Sequence, residues 1–111
     1  MKITSEHFDQ LAVMTVEGDF TVAHVGRFRR DVLERFDDKT RDIVLDLSRT
    51  TFVDSKALES LLWLQDQCAE RLGQVRLSGC TERLLMVLKV TRLISYFEIH
   101  SEVDAAVASL R

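Results

Sequence analysis

Asp54 and Ser55 stand side by side in Phe52-Val53-Asp54-Ser55-Lys56-Ala57-Leu58, where a polar loop gives way to an apolar helical pattern. A carboxylate next to a hydroxyl can act as base and nucleophile, cap a helix, or present an oxygen for modification. The first role needs a third group to orient the base and donors for a developing oxyanion. No residue at a recognised spacing supplies either. The cap is what such residues do at most helix starts, and either Asp54 or Ser55 can fill it. A hydroxyl at a helix N-terminus also faces unpaired N–H groups and the positive end of the helix dipole, which favour an added dianion. Asp54 opposes that charge and Lys56 partly compensates it.

Other candidate residues form no constellation. Asp46 closes an apolar strand, the position of a phospho-acceptor carboxylate, but the acidic cluster that would hold magnesium is missing: only Glu17 and Asp19 follow the early strands. It is expected to be a loop or cap residue. His7, His24 and His100 are far apart in sequence and have no Ser, Cys or Asp at catalytic spacing, so they are expected at the surface or in turns. No glycine-rich phosphate loop occurs, and any ATP must belong to a partner. Cys68 and Cys80 have no CxxC or histidine neighbour, which removes zinc and thioredoxin chemistry and leaves two reduced, half-buried thiols as the expectation. No cofactor and no metal is expected.

The elements that must position Asp54 and Ser55 follow from periodicity. Residues 2–5 and 11–17 are short and β-prone, with Asp9-Gln10 as the turn of a hairpin. Val22, Val25, Phe28, Val32 and Phe36 predict a helix from about Val22 to Phe36. Ile43 to Leu47 predicts a central strand covered on both faces, and Ser48 to Val53 a loop. Leu58, Leu61, Leu62, Cys68, Ala69 and Leu72 predict a second helix, with Gly73 as its left-handed stop. Trp63 is expected off the main apolar face of that helix, partly buried against a third. Val75 to Leu77 is a strand, Thr81 to Val90 the third helix and Phe97 to Ile99 the last strand. Ser101 to Asp104 has capping-box spacing for a terminal helix ending near Leu110. The order β-β-α-β-α-β-α-β-α implies an α/β fold with a mixed, mostly parallel sheet covered by helices.

The chain has 111 residues, enough for one hydrophobic core, and no proline or linker-like stretch divides it, so residues 1–111 are expected to form a single domain. Net charge is −3, with Arg27, Arg29 and Arg30 answered by Asp31, Glu34, Asp37 and Asp38, which argues against a nucleic-acid footprint. No apolar run approaches the ~18 residues of a membrane span and the first residues lack a signal-peptide core, so a soluble, cytoplasmic protein is expected.

The stretch from Asp46 to Leu61 resembles the signature of the STAS family: a strand, a short loop, then Phe-x-Asp-Ser-x-Gly-Leu opening a helix. Gly18-Asp19-Phe20 sits where that family has a Gly-Glu-Leu-Asp-like turn. Thr81 to Leu93 resembles its third helix and the Thr/Ser-Gly-Leu turn that ends it. The resemblance covers nearly the whole chain and implies a STAS-like fold of the anti-sigma factor antagonist type. It further implies a non-enzymatic module that binds an anti-sigma factor serine kinase, with Ser55 as the residue phosphorylated. The partner surface carried over comprises Asp19, Phe20, Thr21, Asp54, Lys56, Ala57 and Leu58. A homodimer stays open, as does a scaffold subunit of a larger complex, such as a lipid-transport ATPase or a stress-sensing assembly, without a phosphate switch.

Two positions depart from the pattern. Ala57 and Arg92 stand where the family has glycine. If residue 57 needed a left-handed backbone, alanine would cost roughly 1–2 kcal/mol; inside a first helical turn it is favoured over glycine. A methyl also keeps another backbone further away than glycine does.

Overall fold

Lys2–Phe8 (β1) and Leu11–Phe20 (β2) pair antiparallel across Asp9-Gln10 in this computed structural model, which describes residues 1–37 and 39–111. Asp38, one of the acidic residues expected to answer the arginines, lies outside the described residues. Alternation along β2 sends Ala12, Met14 and Val16 into the main core and Leu11 and Val13 to the opposite face, so the strand is covered on both sides. Asp42–Asp46 (β3), Val75–Ser78 (β5) and Glu98–His100 (β6) extend the sheet in parallel, giving the order β1-β2-β3-β5-β6. The expected mixed, mostly parallel sheet is what forms. Within β3, Ile43 and Leu45 join the main core while Val44 joins the second cluster.

One strand lies where a loop was expected. Thr50–Val53 (β4) pairs in parallel with the far end of β2, matching Gly18 to Thr50, Asp19 to Phe52 and Phe20 to Val53, with a register shift between Gly18 and Asp19. Gly18 has φ 92°, a left-handed value that glycine adopts without strain, and its N–H donates to Arg49 O at 3.0 Å. Thr50 Oγ1 donates to Val16 O at 2.8 Å, and the β-prone Thr-Thr-Phe-Val run does the rest.

The first helix also differs. Val22–His24 form a turn of 3-10 helix before Val25–Asp37 (α1) begins. The tighter turn, with about three residues per repeat, breaks the helical phase; Phe28, Val32 and Phe36 are buried, but Val22 is 62% exposed. Ser55–Glu70 (α2) and Glu82–Val90 (α3) cover the same face of the sheet through Leu58, Leu61, Leu64, Cys68, Leu84 and Leu88. At the end of α2 the left-handed residue is Leu72, with φ 60°, rather than Gly73. Leu72 N donates to Ala69 O and Gly73 N to Cys68 O, at 3.0 and 2.8 Å, the paired bonds of a Schellman stop. Gly73 is needed for space: a Cβ there would lie 1.9 Å from Arg41 O.

Val103–Ala108 (α4) covers the second face, with Val103, Val107 and Leu110 packed on Leu11, Val13 and Val44. The expected Ser101 capping box does not form; Glu102 holds the cap position without a side-chain bond, and burial of Ala106, with Val103 and Val107 packed beside it, sets where this short helix sits. Trp63 is half-buried, as expected, but against α1: Arg29 Cζ lies 5.1 Å from its ring centroid. Cys68 is fully buried, not half-buried, and burial pushes its thiol up to about 12; Cys80 is half-buried and pushed up to about 11 by the same cause. No described helix is long and apolar enough to cross a membrane.

Candidate functional site

Asp54 links three elements. Its backbone is extended, with φ −90°, and its N–H donates to Phe20 O at 3.3 Å at the end of β2. Oδ1 accepts from Ala57 N at 2.9 Å, capping α2, and Oδ2 accepts from Val22 N at 2.8 Å, capping the 3-10 turn. Asp54, rather than Ser55, is the helix cap. The Ala57 N–H holds the carboxyl below its ordinary value; desolvation pushes the other way, and the Val22 and Lys56 amides and His24 add to the lowering. A carboxylate so engaged on both oxygens is the opposite of a general base poised near neutral pH.

Around this clasp the neighbouring turn is braced by its own side chains. His24 Nδ1 accepts from Thr21 N and lies against Thr21 Oγ1, both at 3.3 Å. Thr51 Oγ1 donates to Asp19 Oδ1 at 2.7 Å, joining β4 to the end of β2. His100 and His7 lie elsewhere, the first beside Glu98 and the second beside Arg35 and Thr40. Asp46 Oδ1 accepts from Ser48 N at 3.0 Å, the turn-capping role expected for it.

The residues expected at the partner surface divide by burial. Asp19, Ser55 and Lys56 are exposed, and Thr21 and Asp54 are half-buried. Phe20, Ala57 and Leu58 are buried, so they hold the loop from beneath and present no side chain to a partner. Phe20 meets Phe28 with ring centroids 4.8 Å apart. Lys56 Nζ bonds Glu59 at 3.3 Å one turn along α2, so its charge is directed along the helix. Ser55 is the first residue of α2, and its hydroxyl makes no hydrogen bond among the described residues.

The two glycine replacements part company here. Ala57 is the third residue of α2 and does not take a left-handed backbone, so alanine suits it. Arg92 has φ 62° and does occupy a left-handed position. Sequence reasoning missed Phe52, 48% exposed, which lines a cleft between β4 and α3 with Thr51, Val53, Arg83, Leu84 and Val87. An aromatic residue within a segment read as a loop was the available signal. Among the described residues no cluster of His, Cys, Asp or Glu could hold a metal ion.

Known proteins share this fold. A family model described as STAS domain matches residues 2–106. A STAS-domain containing protein of Pseudomonas aeruginosa is 31% identical over 88 residues, covering 73% of this chain and 87% of that protein. The Thermotoga maritima protein TM1081 superposes with a TM-score of 0.90 at 18% identity, over 98% of this chain and 94% of that one. The Bacillus cell fate determinant SpoIIAA, in its phosphorylated form, superposes with a TM-score of 0.78 at 16% identity, over 99% and 100% of the two chains.

Proposed function

The chain belongs to the STAS domain family, and from that premise we propose that it is a non-enzymatic regulatory module whose protein partner, an anti-sigma factor serine kinase, phosphorylates Ser55. The partner surface is the turn at Asp19 and Thr21 together with the start of α2 at Asp54, Ser55 and Lys56. One observation carries the choice of residue. Of the hydroxyls near the start of α2, Ser60 is buried and bonded to Lys56 O, and Thr51 is bonded to Asp19, whereas Ser55 is exposed and unbonded among the described residues.

A phosphate on Ser55 meets a helix end already served. Asp54 takes the Ala57 N–H, so the added dianion has few backbone donors to settle on and a carboxylate beside it. It projects from the surface and leaves the core untouched. The consequence falls on partner binding, where the charge must be desolvated or matched.

Intact-mass and peptide analysis after incubation with the partner kinase and ATP tests this. The expected result is one added phosphate, on the peptide containing Ser55. Modification at Thr51 or Ser60 would show the site to be wrongly assigned. Stable capture of a partner that leaves the mass unchanged would favour the scaffold role over the switch.

A further inference from the structure

β1 is a long outer edge of the sheet. It runs for 7 residues and, among the described residues, is paired only with β2, whereas the opposite edge strand, β6, has 3. Its register with β2 is uninterrupted and the chain has no proline, so neither a bulge nor a proline blocks further pairing; the charges at Lys2 and Glu6 guard the edge against any strand that does not answer them. Because only two residues separate Phe8 from Leu11, that closing pair is hydrogen-bonded, and alternation turns the N–H and C=O groups of Ile3 and Ser5 away from β2.

The side chains on this edge are self-complementary. Lys2, Thr4 and Glu6 project to one face, opposite Glu17, Thr15 and Val13 of β2, and all three are exposed. Neither Lys2 nor Glu6 has an ion pair among the described residues. Four residues of strand separate them by about 13 Å, so within one copy they cannot meet.

We propose that β1 pairs antiparallel with β1 of a second copy of this chain, about a two-fold axis at Thr4. In that register Lys2 lies opposite the partner's Glu6 and Glu6 opposite the partner's Lys2. Ile3 exchanges backbone hydrogen bonds with the partner's Ser5, and the symmetry repeats the exchange. Thr4 meets the partner's Thr4 at the axis in a non-hydrogen-bonded position, where side chains come closest and threonine pairs are favourable. A slip by two residues would set Lys2 against the partner's Phe8 and lose both ion pairs. A slip by one would turn each side chain to the wrong face. Charge and pleat therefore select one register, and the two sheets become continuous.

Sedimentation equilibrium over a concentration series tests the dimer, with melting curves as the check on folding. The wild-type chain is expected to dimerise with concentration. Lys2→Glu sets like charges opposite each other twice and should weaken the dimer about tenfold. The double swap Lys2→Glu with Glu6→Lys should restore it. Ser5→Pro removes an N–H that faces away from β2, so the domain should fold and remain monomeric. A wild-type chain that is monomeric at every concentration overturns the proposal. So does a dimer indifferent to Lys2→Glu, or a folded Ser5→Pro chain that still dimerises. Should Ser5→Pro fail to fold, the charge swap decides alone.

Discussion

Asp54 Oδ2 accepts the backbone N–H of Val22 at 2.8 Å, across 32 residues of sequence, while its other oxygen caps α2 through Ala57. One carboxylate thereby satisfies an orphan donor at the start of each of two helical segments and fixes the end of β2 relative to α2. The surface on which Ser55 stands is tied to the end of β2 through its neighbour.

That clasp makes stability depend on pH in a stated direction. The carboxyl of Asp54 titrates below its ordinary value in the folded chain. Its contribution is complete above the ordinary carboxylate range and is lost as pH falls through the folded value. Asp54→Asn keeps the shape and removes the charge. It should melt lower than wild type at about pH 7, and the gap should narrow as pH falls toward about 3. A gap of constant size would show that the charge contributes nothing.

Left-handed residues other than glycine offer a test of backbone strain. Arg92 has φ 62° and Leu72 has φ 60°. Relief of about 1–2 kcal/mol of steric strain, less about 0.4–1 kcal/mol for glycine's added freedom in the unfolded chain, leaves a net gain. Arg92→Gly and Leu72→Gly should each stabilise by about 0.5–1 kcal/mol in urea unfolding. Ala57→Gly, in helical backbone, should lose about 1 kcal/mol. The same substitution thus has opposite signs at the two positions where the chain departs from its family.

The order of strands and helices is legible in the sequence because each element carries its own period: Val75 to Leu77 reads as a strand, and Phe28, Val32 and Phe36 as one helix face, without reference to anything distant. β4 is not legible in that way. Thr50 to Val53 are strand because Gly18 lets β2 bend toward them, a contact between segments 32 residues apart, and four residues are too few to show a period. The site divides similarly. Asp54 and Ser55 were visible as a cap and a hydroxyl, but the bond from Val22 was not, and Phe20, Ala57 and Leu58 could not be separated from the exposed residues beside them until the sheet was in place.

Gly73 makes the cost of a methyl measurable. A Cβ there would fall 1.9 Å from the Arg41 carbonyl oxygen, a backbone atom held by the strand that follows, so the neighbour cannot simply rotate away. Gly73→Ala should destabilise by about 1–3 kcal/mol, the range for overpacking, despite alanine's lower entropy cost. A variant as stable as wild type would show that the loop before β3 moves freely.

Substitutions at Ser55 separate the switch from the scaffold. Because Asp54 is the cap and the Ser55 side chain is exposed and unbonded among the described residues, Ser55→Ala should change stability by no more than about 0.5 kcal/mol. Partner affinity should persist. Ser55→Asp places a second carboxylate beside Asp54, at a helix end whose dipole tolerates it, so the fold should survive there too. The added charge must be desolvated when a partner covers the start of α2, and affinity should fall well below that of the alanine form. Calorimetry of both variants against the same partner, with a melting curve for each, reads the difference directly. Equal affinities in two well-folded proteins would remove the phosphate switch, because a charge that leaves binding unchanged at Ser55 cannot regulate it from there.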